Sequence, residues 1–123
     1  MVKGISPTQR TLRELRAQGR IAGIVERWNA HAGKFGQRSD LFGFIDIICL
    51  DPIKGIVGIQ SCGQAFNEHL KKITQEKNEE VYEWLRCGGK IELYGWRKVK
   101  LKRGGKAMRW QPRIKEITLE DLE

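Results

Sequence analysis

The chain has 123 residues, 40% of them hydrophobic and 31% charged, enough for one domain with a single modest core. No apolar run approaches the roughly 20 residues of a membrane span and no apolar leader opens the chain, so a soluble, cytoplasmic protein is expected; Cys49, Cys62 and Cys87, with no paired short spacing, argue against a disulfide framework or a zinc site. Residues 1–115 hold all 23 Lys and Arg against 11 acids, a balance of +12, which attracts polyanions such as nucleic acid unless it is only a solvated basic surface.

Ser6-Pro7-Thr8-Gln9 starts a helix, because Ser caps, Pro suits the first helical position and Gln three residues after Ser completes a capping box. This helix should run to Gln18 and stop at Gly19, with Thr8, Leu12 and Leu15 inward. Arg10, Arg13, Arg16 and Arg20 form a basic stripe, either a phosphate grip or an ordinary exposed face. Residues 21–28, IAGIVERW, read as a first strand. Residues 30–39 read as a mobile loop that carries Lys34 and Arg38 and is suited to clamping DNA.

Residues 41–50 and 56–62 form a hairpin joined at Asp51-Pro52-Ile53-Lys54-Gly55. From residue 64 to 87 the period becomes helical through Phe66, Leu70 and Ile73 and again through Val81, Trp84 and Leu85, giving one long helix or two consecutive ones. Asn78 is a candidate cap for the second part, Glu76, Glu79, Glu80 and Glu83 make an acidic outer face, and Gly88-Gly89 ends the run. Strands follow at residues 90–99 and 108–117, the last at an edge because Pro112 cannot donate to a ladder, and a short acidic tail closes the chain at 118–123. The strand, helix, strand succession implies that residues 56–62 and 90–99 pair in parallel.

One position stands out in the first hairpin strand. Asp46 lies between Ile45 and Ile47, where a carboxylate needs a cation, a metal or several donors to offset its burial, and Gln60 lies between Ile59 and Ser61 in the next strand. Glu26 is either a further ligand or a surface acid paired with a base. Asp40 is the rival acid, its alternative being an Asx turn. Asp51 reads as a turn residue, His31 as a loop residue and His69 as a helix-surface residue.

This arrangement resembles the PD-(D/E)XK nuclease superfamily, and within it the small Holliday-junction resolvases. Asp46 in FIDIICL takes the place of the motif's first acid, Gln60 in GIVGIQSC that of the second, and Cys62 stands where the motif has Lys. The resemblance implies an α/β fold: a restriction-endonuclease-like αβββαβ core with a mixed central sheet flanked by helices, in a single nuclease-like domain over residues 1–123. It implies a metal-dependent DNA endonuclease, with branched DNA as a substrate and a homodimer as the working unit. It further implies Mg²⁺ (or Mn²⁺) held by Asp46, Gln60 and the carbonyl of Ser61; Glu26 or Asp40 would restore the charge that Gln60 lacks, with Glu26 the first choice. Because a thiol cannot replace an ammonium, Lys98 at the end of the adjacent strand is the first choice for the missing lysine. The alternatives are a nuclease-fold DNA-binding protein without catalysis and a basic RNA-binding domain.

The densest charge is Arg97, Lys98, Lys100, Lys102, Arg103, Lys106 and Arg109, centred on Gly104-Gly105 and flanked by Trp96 and Trp110. Together with Arg10, Arg13, Lys34 and Arg38, these cations are the candidate phosphate contacts. The two tryptophans read as cross-strand packing in preference to base-stacking platforms.

Overall fold

The computed structural model describes residues 4–123. Helix α1 spans Pro7–Ala17; the Ser6 hydroxyl accepts a hydrogen bond from the Gln9 amide at 3.2 Å, and the chain leaves through Gly19 at φ +81°. Its buried face is Thr8, Thr11, Leu12 and Leu15, one threonine more than the spacing predicts. The sheet strands are β1 (Ile21–Ile24), β4 (Ile47–Asp51), β5 (Gly55–Cys62), β6 (Lys90–Lys100) and β7 (Met108–Ile117), in the order β1-β4-β5-β6-β7. All neighbours are antiparallel except β5 and β6, which run parallel across the helical crossover as the chain order requires. The fold is thus α/β, with a mixed five-stranded sheet flanked by helices.

Each sheet face has its own core. On one, Leu12 and Leu15 of α1 pack against Ala22, Ile47, Cys49, Val57, Ile59, Tyr94 and Trp96. On the other, Phe44, Ile45, Cys62, Ile91, Leu93 and Ile117 meet the helical crossover through Phe66, Ile73 and Val81. That crossover is not one helix: α2 (Phe66–Lys71) passes through a π-helical turn at Lys72–Glu76, where the Lys77 amide reaches back to the Lys72 carbonyl at 2.8 Å, before α3 (Asn78–Arg86) begins. Asn78 does not cap α3; its side-chain amide donates to the Glu123 carbonyl at 2.9 Å and ties the acidic C-terminal turn to the helices.

Three expectations fail at loops. The strand expected over 21–28 breaks after Ile24, because the amides of Val25 and Glu26 both turn to the Asp46 carbonyl, at 2.8 and 3.3 Å. Residues Arg27–Asn29 (β2) then pair with Gln37–Ser39 (β3) in a separate two-stranded ribbon, so only the turn between them remains of the expected loop. The strand expected over 41–50 begins only at Ile47. Residues 41–46 instead form a tight turn with Phe42 at φ +55° and Gly43 at φ +81°, closed by the Ile45 amide on the Leu41 carbonyl at 3.0 Å.

β6 and β7 outgrow the sheet. The last residue of β5, Cys62, is level with Gly95, and beyond it β6 and β7 continue for five more pairs, Trp96↔Pro112 to Lys100↔Met108, as a two-stranded arm. Gly95 sits at the root of the arm, where a β-carbon would come within 2.4 Å of the Phe66 ring. Gly95→Ala is therefore expected to destabilise the fold by about 1–3 kcal/mol through overpacking, read as a lower denaturant midpoint at unchanged slope.

Candidate metal centre

The turn at 41–46 brings two acids together. Asp46 is fixed at the mouth of β4: its amide donates to the Ile59 carbonyl at 2.8 Å, and its carbonyl takes the amides that end β1. Its side chain lies on the same sheet face as Gln60. Asp46 Oδ2 accepts from Gln60 Nε2 at 2.9 Å and from the Ser61 amide at 2.8 Å, with only 3% of the residue exposed. Gln60 Nε2 also donates to Asp40 Oδ2 at 3.1 Å, so one amide bridges both acids. Glu26, at the break after β1, completes the group: each of Glu26, Asp40 and Asp46 offers a carboxylate oxygen within 4.8 Å of the others.

Two carboxyls at such separation do not both ionise easily. Burial, then the neighbouring Asp40, pushes Asp46 up to about 8, against the pull of the Ser61 amide and Gln60. Burial also acts to raise Asp40, but hydrogen bonds from Asp46 and Gln60 and the charge of Lys72 hold it below the usual carboxylate range. The resting pair therefore keeps one proton at neutral pH, on Asp46.

Lys72 is the cation paired with Asp40. The π-helical turn delivers its ammonium 3.3 Å from Asp40 Oδ2. Lys98, expected in this role, does not reach the acids. It alternates with Tyr94 and Trp96, on the α1 face of the sheet, and its ammonium lies 5.4 Å from the Trp110 ring centre. Cys62 is buried beside the site, and burial followed by the charge of Asp46 pushes its thiol up to about 11, so it supplies neither a cation nor a thiolate at neutral pH.

Of the expected ligands, Asp46, Gln60 and Glu26 converge, and Asp40 joins them. Glu26 also pairs with Arg38 at 3.6 Å. Ser61 sends its hydroxyl to Thr11 on the α1 face, while its amide donates to Asp46; its carbonyl leaves the strand on the same edge as that amide. The donor set suits a hard divalent cation. Gln60 Oε1 is buried with no hydrogen-bond partner among the described residues, and turning the amide over would aim that oxygen at the space between the two acids.

The phosphate-contact candidates divide. Arg13 and Lys34 are exposed, whereas Arg10 lies 4.2 Å above the Trp110 ring and helps pack the arm onto α1. The rest of the α1 stripe is engaged: Arg16 donates to the Ala22 carbonyl and Arg20 pairs with Asp51. The seven cations of the arm and its tip are exposed, and among the described residues none makes a salt bridge. Trp96 is buried and donates to the Thr11 hydroxyl at 2.8 Å, as the packing reading expects; Trp110 is 43% exposed. Among the described residues no helix is long and apolar enough to cross a membrane.

Comparison of the chain with family models, with curated proteins and with solved structures returns no match.

Proposed function

We propose that the chain is a divalent-metal-dependent DNA endonuclease of the PD-(D/E)XK kind, with α1, β1, β4, β5, the crossover helices and β6 as a restriction-endonuclease-like core. One observation carries the reading: three acids, a buried amide and a lysine meet at the end of the sheet from which the cationic arm projects. Glu26, Asp40, Asp46, the Ser61 carbonyl and Gln60 Oε1 with its amide turned would hold Mg²⁺ or Mn²⁺. When bound, such an ion supplies a water acidic enough to attack at neutral pH and offsets charge developing on the scissile phosphate.

The chain's own groups do the rest. Asp46 keeps its proton at rest and gives it up to solvent when positive charge arrives beside it. Lys72, with the hydrogen bonds from Asp46 and Gln60, helps hold Asp40 ionised, and it offers an N–H to a phosphate oxygen or to the attacking water, work that Cys62 cannot do. Arg38 and the arm hold the phosphate backbone at the mouth of the site.

The direct test incubates the protein with four-way-junction, duplex and single-stranded DNA in Mg²⁺ or Mn²⁺. Cleavage stopped by a chelator supports the enzyme. Salt-sensitive binding with no cutting leaves a nuclease-fold binder, and a preference for RNA at matched salt overturns the DNA reading. Ion binding carries its own signature. Because Asp46 holds a proton below about pH 8 that the ion must displace, affinity is expected to rise as pH rises toward 8, by up to about tenfold per unit, and to level off above. Titration calorimetry with Mn²⁺ in buffers of different ionisation enthalpy should count one proton released per ion near neutral pH.

A further inference from the structure

The arm is charged on both faces. Residues of β6 alternate, and Gly95 faces Phe66, on the side of the acids; its partner Arg113 lies 4.1 Å over the same ring. Arg97 and, across the register, Arg109 continue that face beyond the sheet. Lys98 and Lys100 continue the opposite face, the one that begins with Tyr94 and Trp96. All four are exposed, and among the described residues none is ion-paired.

We propose that the arm enters a groove of double-stranded nucleic acid, with phosphates against both of its faces; this rests on the nucleic-acid reading above. A single strand lying along the arm would neutralise one face and leave the other pair of cations idle, whereas a groove has a phosphate wall on each side. The dimensions agree. A ribbon with side chains on both faces is about 10 Å thick, within a major groove about 12 Å wide. Single-strand binders rely on aromatic faces open to bases, and on the arm itself the exposed ring, Trp110, already carries the Arg10 guanidinium at 4.2 Å. Duplex is therefore the substrate form that uses every charge of the arm.

The test is a salt titration of binding to a labelled duplex and to one of its single strands, from roughly 50 to 200 mM salt. The proteins compared are wild type, Arg97→Ala with Arg109→Ala, and Lys98→Ala with Lys100→Ala. Wild type should prefer duplex, and each pair of substitutions should lower the magnitude of the duplex salt slope by about 1.8, two phosphate contacts' worth. Glutamine in place of alanine should give the same slopes, which separates charge from packing around Trp110. A slope that responds to one pair only, or a preference for the single strand, overturns groove insertion and leaves the nuclease reading standing. A wild type that binds no nucleic acid overturns both.

Discussion

Asp46→Asn is expected to abolish cleavage, by about a thousandfold or more, and at the same time to make the ion-free protein more stable. The amide keeps an oxygen to accept from Gln60 and the Ser61 amide, at 2.9 and 2.8 Å in the native site, but it brings no charge to a position that is 3% exposed. The sign with pH follows from the raised pKa. Between about pH 4 and 8 the unfolded chain has lost the Asp46 proton while the folded chain keeps it, so native stability drains away as pH rises through that window. The asparagine variant lacks this loss. The gap between the two proteins should open from nothing near pH 4 to on the order of 1–3 kcal/mol near pH 8, several degrees in melting temperature. Paired melting curves across that range check it, and a variant less stable than wild type at pH 8 would sink the account of a tolerated, functional acid.

The second large effect is expected at Lys72. Lys72→Met preserves length and the apolar stem but removes the ammonium 3.3 Å from Asp40. Cleavage should fall by about 10²–10³ in kcat, the usual loss for one preorganised donor aimed at developing charge. A purely structural lysine would not move the proton inventory. Here, loss of the positive neighbour strengthens the hold of the acids on their shared proton, so the rise of ion affinity with pH should shift to higher pH. Lys71→Met, one residue away and exposed, should change neither quantity. Lys98→Met, on the arm, should act on KM.

How far the chain could be read in advance depended on what positioned each group. Local chemistry was legible: Ser6 and Gly19 bounding α1, the Asp51 and Gly55 turn, the parallel return of β6 and the edge position of Pro112 all follow from caps, turn residues and connection rules. The Asp46–Gln60 meeting was legible too, since register in a hairpin fixes which side chains share a face. Asp40 was legible as a rival acid but its meeting with Asp46 was not, and Lys72 was not legible at all. Asp40 reaches Asp46 only because Phe42 takes φ +55°, a backbone state that an FGFI run gives no reason to expect over a strand. Lys72 enters the site through a π-helical turn, which breaks the spacing by which helical faces are read. Val25 and Glu26 ended β1 early because of a tertiary bond to the Asp46 carbonyl, invisible to alternation.

The π-helical turn makes the site sensitive to chain length and not only to residue identity. Such a turn is an α-helix holding one surplus residue. Loss of a single residue between Ile73 and Lys77 would let α2 and α3 fuse into one continuous helix, and everything on one side of the cut would rotate by about 100° relative to the other. Phe66 and Ile73 on one side of the cut and Val81 on the other are buried in the same core, so the fused helix could not keep all three in place, and Lys72 would stay on Asp40 only at the expense of Val81. A one-codon deletion is thus expected to cost either the packing of the crossover or the Lys72–Asp40 contact, a sensitivity to chain length that no single substitution in the segment would reproduce.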